Sequence, residues 1–189
     1  MHIAVFDDMS QCTTRAVEQM LPQVSAQRRE QALRYQHTLG QFCCLKSWLM
    51  LRELSAVSIQ HSDFLYSEHG KPYWPEGPFF SISHCKEGIA VAVDDQPIGI
   101  DIEAIRHADE SLIERVMNEE EKWSVESLEL RDRDRAFTRL WTQKEAVLKM
   151  LGTGIESFEQ LQNVLSKNRD IELSTFEKEK YIYTIANGK

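Results

Sequence analysis

The chain has 189 residues, 42% of them apolar, and a formal net charge of −8. A general nucleic-acid binder needs clustered Lys and Arg to neutralise phosphates, so this balance excludes that class. Any phosphate-bearing ligand has to meet a local basic pocket rather than a basic surface. The four cysteines, Cys12, Cys43, Cys44 and Cys85, include no CxxC pair. That spacing argues against structural zinc and for reduced thiols in a cytoplasmic protein. The stretch Met1 to Ser10 has two aspartates and no basic segment, which does not read as a signal peptide. No apolar run approaches the roughly 20 residues needed to span a bilayer.

In chain order, His2 to Phe6 predicts a strand. Ser25 is placed to cap a polar helix from Ala26 to about Gln36, and Thr38 a second one from Leu39 to Leu54. Helical spacing sets Leu39, Phe42, Cys43, Leu49 and Met50 on one face, with Lys46 among them. A lysine inside an apolar stripe either snorkels outward or reaches an anionic ligand. From His61 to Asp94 the pattern turns to strands: Gly70, Lys71 and Pro72 mark a turn, while Phe79 to Ser83 and Gly88 to Val93 read as short strands. A strand Ile98 to Glu103 follows, then helices at about Asp109 to Met117 and Glu119 to Ser127, the second capped by Asn118. A longer helix, Asp132 to Leu151, stops at Gly152 and Gly154, and Ile171 to Phe176 with Lys180 to Ala186 reads as a hairpin. The order suggests an α+β chain of two halves, 1–96 and 97–189, with no flexible linker between them.

The segment Pro97 to Ala104 reads PIGIDIEA. Alternation turns Ile98, Ile100 and Ile102 one way and Gly99, Asp101 and Glu103 the other. Two carboxylates two residues apart on a strand lie about 7 Å apart at Cα, close enough to share one hard cation, and the glycine beside them leaves room for a bulky ligand. An ordinary solvated strand edge gives the same pattern. On the helix Phe137 to Leu151, the residues Phe137, Leu140, Trp141, Val147, Leu148 and Leu151 form an apolar stripe. Glu145 and Lys149 lie one turn apart on its edge, readable either as an exposed ion pair or as part of a phosphate-handling cleft. Lys144 falls within the stripe, so its ammonium needs a carboxylate or a phosphate. His84 ends the strand FFSISHC.

Taken together, Gly70-Lys71-Pro72, FSISH (Phe80 to His84), IGIDIE (Ile98 to Glu103), WTQKEAVLK (Trp141 to Lys149) and GTGI (Gly152 to Ile155) resemble the phosphopantetheinyl transferase superfamily, in its monomeric surfactin-synthetase-activator type. The resemblance implies a pseudo-twofold pair of similar α/β halves with the active site in the groove between them. It implies Mg²⁺ bound by Asp101, Glu103 and Glu145 alongside the pyrophosphate of coenzyme A. Lys71, Ser83 and His84 become coenzyme A contacts, with Arg28 and Lys46 as further basic contacts. Glu145 is the candidate base, and Lys149 and Lys144 the candidate catalytic lysines for the leaving phosphate. The implied reaction moves the phosphopantetheine arm to a serine of an apo carrier protein and involves neither nucleic acid nor membrane. A metal-dependent phosphohydrolase and a non-catalytic binding module use the same residues. For the carrier, the expected docking patch is Arg106 to Trp123, with Val116 and Met117 supplying apolar surface and Arg106 and Arg115 charge. Where the family often has Asn, this chain has Ser81.

Overall fold

The computed structural model of the chain describes residues 1–55, 65–75 and 77–188. Its first strand, β1 (His2–Phe6), leads through a 3-10 turn at Met9–Gln11 into α1 (Thr14–Met20), which Thr13 caps through its hydroxyl. The Ser25 hydroxyl accepts from the Arg28 N–H and starts α2 (Ala26–Leu33). This helix ends three residues earlier than its polar run suggests. The N–H groups of Arg34 and Tyr35 bond back only three residues, to Gln31 and Ala32, and the tightened turn releases the chain. Helix α3 (Thr38–Leu54) has His37 rather than Thr38 at its cap position and no side-chain cap. Phe42, Cys43, Leu45, Trp48 and Leu51 are all buried on it, while Leu39 is exposed. A short hairpin, β2 (Leu65–Tyr66) and β3 (Pro72–Tyr73), precedes β4 (Phe79–Cys85) and β5 (Gly88–Asp94). The strand-rich stretch expected from His61 begins outside the described residues.

The second half opens with β6 (Ile98–Ala104), followed by α4 (Glu110–Val116) and α5 (Glu119–Glu126). Asn118 and Glu121 form a reciprocal capping box at the start of α5, each side chain bonding the other's backbone N–H. Helix α6 (Leu130–Leu151) ends where Gly152 takes a left-handed φ of 74°, a conformation that favours glycine. Helix α7 (Phe158–Lys167) starts at a Ser157 cap, and β7 (Glu172–Glu177) and β8 (Tyr181–Asn187) close the fold. Among the described residues, no helix is long and apolar enough to cross a membrane.

Two three-stranded antiparallel sheets result, ordered β1-β5-β4 and β6-β8-β7. In each, the first strand pairs with the last and the middle one lies outside. The period-2 alternation of β5 sends Ile89, Val91 and Val93 into a core with α1 to α3, and Ala90 and Ala92 to the opposite face. There they meet Ile98, Ile100 and Ile102 of β6 and Ile185 of β8, so a third core is shared by both sheets. A separate core gathers α4 to α7 against the far face of β7 and β8. Among the described strands β6 is an edge, yet it is not left open. The Ser81 hydroxyl on β4 accepts from the Ile100 N–H at 3.0 Å, occupying a donor that an edge strand would otherwise present to solvent.

The face of β6 that carries Gly99, Asp101 and Glu103 is covered by α6. Here the expectation that Gly99 makes room for a ligand is corrected. A Cβ at this position would overlap the Ala146 carbonyl oxygen and lie 2.5 Å from the Met150 nitrogen. The space belongs to the α6 backbone. Neither obstacle can swing aside as a side chain can, so Gly99→Ala should cost about 3 kcal/mol or more. Urea denaturation measures this, and a loss under about 1 kcal/mol would show that α6 can slide along β6.

Candidate active site

Three elements meet at Asp101. Its Oδ1 accepts from the Lys149 ammonium of α6 at 2.6 Å and from the Ser83 hydroxyl of β4 at 2.8 Å. Lys149 also donates to the Ser83 oxygen at 2.9 Å. Asp101 is 2% exposed, so its charge requires this company. Its second oxygen, Oδ2, is buried and has no hydrogen-bond partner among the described residues. Lys149 thus joins Asp101 across the cleft instead of pairing with Glu145 one turn away on its own helix.

Glu103 and Glu145 stand on either side of that pair. Both are partly buried, and burial pushes both carboxyls above the ordinary 4.5, with the negative charge of Asp101 adding to each. The mutual repulsion shows that the three carboxylates share one region of the cleft. Among the described residues, no three acidic, His or Cys side chains stand close enough to cage a metal unaided. Mg²⁺ does not ask for such a cage, since it keeps several waters and is held by one or two carboxylates together with phosphate oxygens. An unpartnered buried carboxylate oxygen beside two further acids suits that kind of ion.

Lys71 follows the hairpin turn and places its amine against the Lys149 carbonyl, with the Ile98 carbonyl 3.5 Å away. Burial, and then the Lys149 charge, lower it to about 8. A cavity of about 250 Å³ opens beside it, bounded by His69, Lys71, Phe80, Ile82, Glu145 and Lys149. His84, next to last in β4, is exposed, yet its confined surroundings and the charges of Lys149 and Arg28 keep it below the usual 6.5. Strand register sets Phe6, Ile89 and His84 side by side across the sheet. The Lys46 ammonium lies 4.6 Å from the Phe6 ring centroid, so Lys46 shares this end of the sheet with His84. Arg28 is partly committed. Three of its five N–H groups bond the Cys44 carbonyl and the Gln31 side chain, and its guanidinium stacks 5.1 Å over Trp48.

Two expectations are corrected. Lys144 has the carboxylate partner its burial calls for, but that partner is Glu121 in the core and not an acid of the cleft. It is 0% exposed and donates to Glu121 of α5 at 2.7 Å and to the Leu161 carbonyl of α7 at 2.6 Å. It therefore pins three helices together in the core of the second half. Val116 and Met117, expected to offer apolar surface, are 1% and 0% exposed and pack inward. The exposed large residue of that segment is Trp123, at 74%. Trp141, expected in the apolar stripe, also reaches the site, where its indole N–H donates to Glu103 Oε1 at 3.3 Å. Its place one turn before Glu145, on the edge of the stripe, was the available signal.

The cleft thus brings three acidic side chains together with the amines of Lys149 and Lys71. A family model described as the 4'-phosphopantetheinyl transferase superfamily matches residues 97–186. The chain is 31% identical over 147 residues to the 4'-phosphopantetheinyl transferase psf-1 of Bacillus pumilus, a match covering 75% of this chain and 63% of that protein. It is 30% identical over 169 residues to 4'-phosphopantetheinyl transferase gsp of Aneurinibacillus migulanus, covering 82% and 71%. With 4'-phosphopantetheinyl transferase Sfp of Bacillus subtilis it shares 30% identity over 146 residues, covering 73% and 64%. The chain belongs to the 4'-phosphopantetheinyl transferase superfamily, in its surfactin-synthetase-activator type.

The buried position of Lys144 gives its substitution a definite structural cost. Lys144→Met leaves the Glu121 carboxylate in the core without its cation and should cost about 3–5 kcal/mol. Replacing both residues with apolar ones should recover most of that stability. Urea denaturation of the single and double variants checks this, and a single variant as stable as the parent would show that the pair is not closed in solution.

Proposed function

We propose that this protein transfers the 4'-phosphopantetheine arm of coenzyme A to a serine of an apo acyl, polyketide or peptidyl carrier protein, releasing 3',5'-ADP. The observation that carries this reading is the junction of Ser83, Asp101 and Lys149, which ties β4, β6 and α6 together around a carboxylate oxygen without a partner. The names of the relatives supply the reaction class. The protein would act as a monomer in the cytoplasm, in keeping with its four free cysteines.

In the proposed step the serine oxygen of the carrier attacks the β-phosphorus of coenzyme A. A new O–P bond forms, the bond from that phosphorus to the bridging oxygen breaks, and 3',5'-ADP leaves. Glu145 accepts the serine proton. Its carboxyl lines the cavity beside Lys71 and Lys149 and can serve a weak hydroxyl nucleophile as the base it needs. Lys149, already directed into the cleft, stabilises charge on the departing phosphate or donates a proton to it. Asp101, Glu103 and Glu145 would hold Mg²⁺, which when bound neutralises the pyrophosphate oxygens. Lys71 and the cavity beside it would receive the nucleotide end of coenzyme A, with His84, Ser83, Arg28 and Lys46 contacting its phosphates. We read the two halves, 1–96 and 97–189, as related by a pseudo-twofold axis, an arrangement the identical strand order of the two sheets supports.

Incubation with coenzyme A, Mg²⁺ and a panel of apo carrier proteins, read by intact mass, should show addition of the phosphopantetheine arm. Asp101→Ala should abolish that addition while the protein stays folded. Release of the arm into solution without its appearance on any carrier would mark a hydrolase and overturn the reading.

Lys71 gives the binding step a pH dependence with a definite sign. The fold favours its neutral amine, so its contribution to stability is complete above 10.5 and is lost as pH falls through about 8. Anion binding runs the other way, because a phosphate attracts the ammonium. Coenzyme A affinity should therefore weaken as pH rises from 7 to 9, and Lys71→Arg, which stays charged, should flatten the decline. Calorimetric titration at the two pH values measures both, and equal slopes for parent and variant would remove Lys71 from the contact.

A further inference from the structure

Arg106 lies two residues beyond β6, exposed at the mouth of the cleft. Amid so many acids its guanidinium would be expected to form an ion pair. Its charge acts on Glu103 and Glu145 from a distance, while its direct contacts among the described residues are with rings. The guanidinium carbon lies 5.3 Å from the Trp141 ring centroid and 5.7 Å from that of Phe137. Those two rings are themselves nearly parallel, 13° apart, with centroids separated by 6.3 Å. A cation over an indole face is attracted by the ring quadrupole, and it also fixes where the ring edge points. Here the edge points at the site: Trp141 Nε1 donates to Glu103 Oε1.

We propose that Arg106 and Trp141 are positioning residues for Glu103. The guanidinium lies against both rings and ties the indole to Phe137, and the indole N–H in turn holds one oxygen of the Glu103 carboxylate. The arrangement resembles the way partners behind metal-bound side chains set their orientation, where loss of such a partner weakens metal binding by about 10–100-fold. The inference rests on the reading that Glu103 faces a divalent cation. It assigns Arg106 a task inside the site, rather than the carrier-docking role that its sequence position suggested. A lysine is a poorer substitute, because a guanidinium stacks flat on an aromatic face and an ammonium does not.

Two measurements decide it. The first needs no metal: indole ¹⁵N–¹H spectra of the protein, with the Trp141 resonance identified by its disappearance in Trp141→Phe. Both Arg106→Leu and Glu103→Gln should move that resonance, and Arg106→Lys should move it less. A resonance that ignores Arg106→Leu overturns the proposal. The second is Mn²⁺ affinity with coenzyme A present, read from the electron paramagnetic resonance of free Mn²⁺. Trp141→Phe and Arg106→Leu should each weaken binding roughly tenfold. The double variant should bind no more weakly than Trp141→Phe alone, because the two act through one hydrogen bond. A higher KM for carrier protein, with Mn²⁺ affinity and the indole resonance unchanged, would place Arg106 on the docking surface and overturn the proposal. If the parent binds no Mn²⁺ while the resonance still responds to Arg106→Leu, the bracket stands and the cation reading falls.

Discussion

Helix α6 lies so close to β6 that the residue between their backbones carries no side chain. With Gly99 as the contact point, the helix cannot roll or slide without overlap, and its register against the strand is set. Everything acidic in the cleft depends on that register. Asp101 and Glu103 follow at alternate positions on the strand, and Glu145 and Lys149 lie on the facing turns of the helix. A helix held only by apolar packing could shift by a fraction of a turn and still bury its stripe. Backbone against backbone leaves no such tolerance.

Around this contact the charges are arranged in two groups that answer each other. Asp101, Glu103 and Glu145 repel one another, and the Lys149 ammonium sits among them, bonded to Asp101. On the first half, Lys71, His84, Arg28 and Lys46 collect around the hairpin turn and the end of the β1-β5-β4 sheet. A chain carrying net charge −8 thus keeps a small basic region beside an acidic one, the combination a pyrophosphate and its counter-cation require. Further acids stand on solvated helix surface, as Glu119, Glu120 and Glu126 do on α5.

Local pattern made much of this legible. The alternation in IGIDIE assigned both faces of β6, Asn118 and Glu121 announced the α5 cap, and Gly152 marked the end of α6. What stayed hidden was always a partner distant in sequence. Lys144 was recognised as a cation needing company, but nothing on its own helix pointed to Glu121 and the Leu161 carbonyl. Gly99 looked like space because the helical turn that fills it, at Ala146, comes forty-seven residues later. Val116 and Met117 were read as surface because α7, against which α4 packs, went unrecognised. Its signal was present in the Ser157 cap and in the spacing of Phe158, Leu161 and Val164.

The pairing of β6 has a consequence for how the chain comes off the ribosome. Its ladder partner is the late strand β8, with Ile98 opposite Asn187 and Ala104 opposite Tyr181. A nascent chain grows at about 5–20 residues per second, so β6 waits several seconds for its hydrogen bonds. During that interval Ile98, Ile100 and Ile102 form a bare β-prone edge, the kind of segment from which aggregates nucleate. Asp101 stands among them and Glu103 directly follows. Charges set into an apolar strand act as gatekeepers against self-association, so the acids of the finished cleft also protect the unfinished protein.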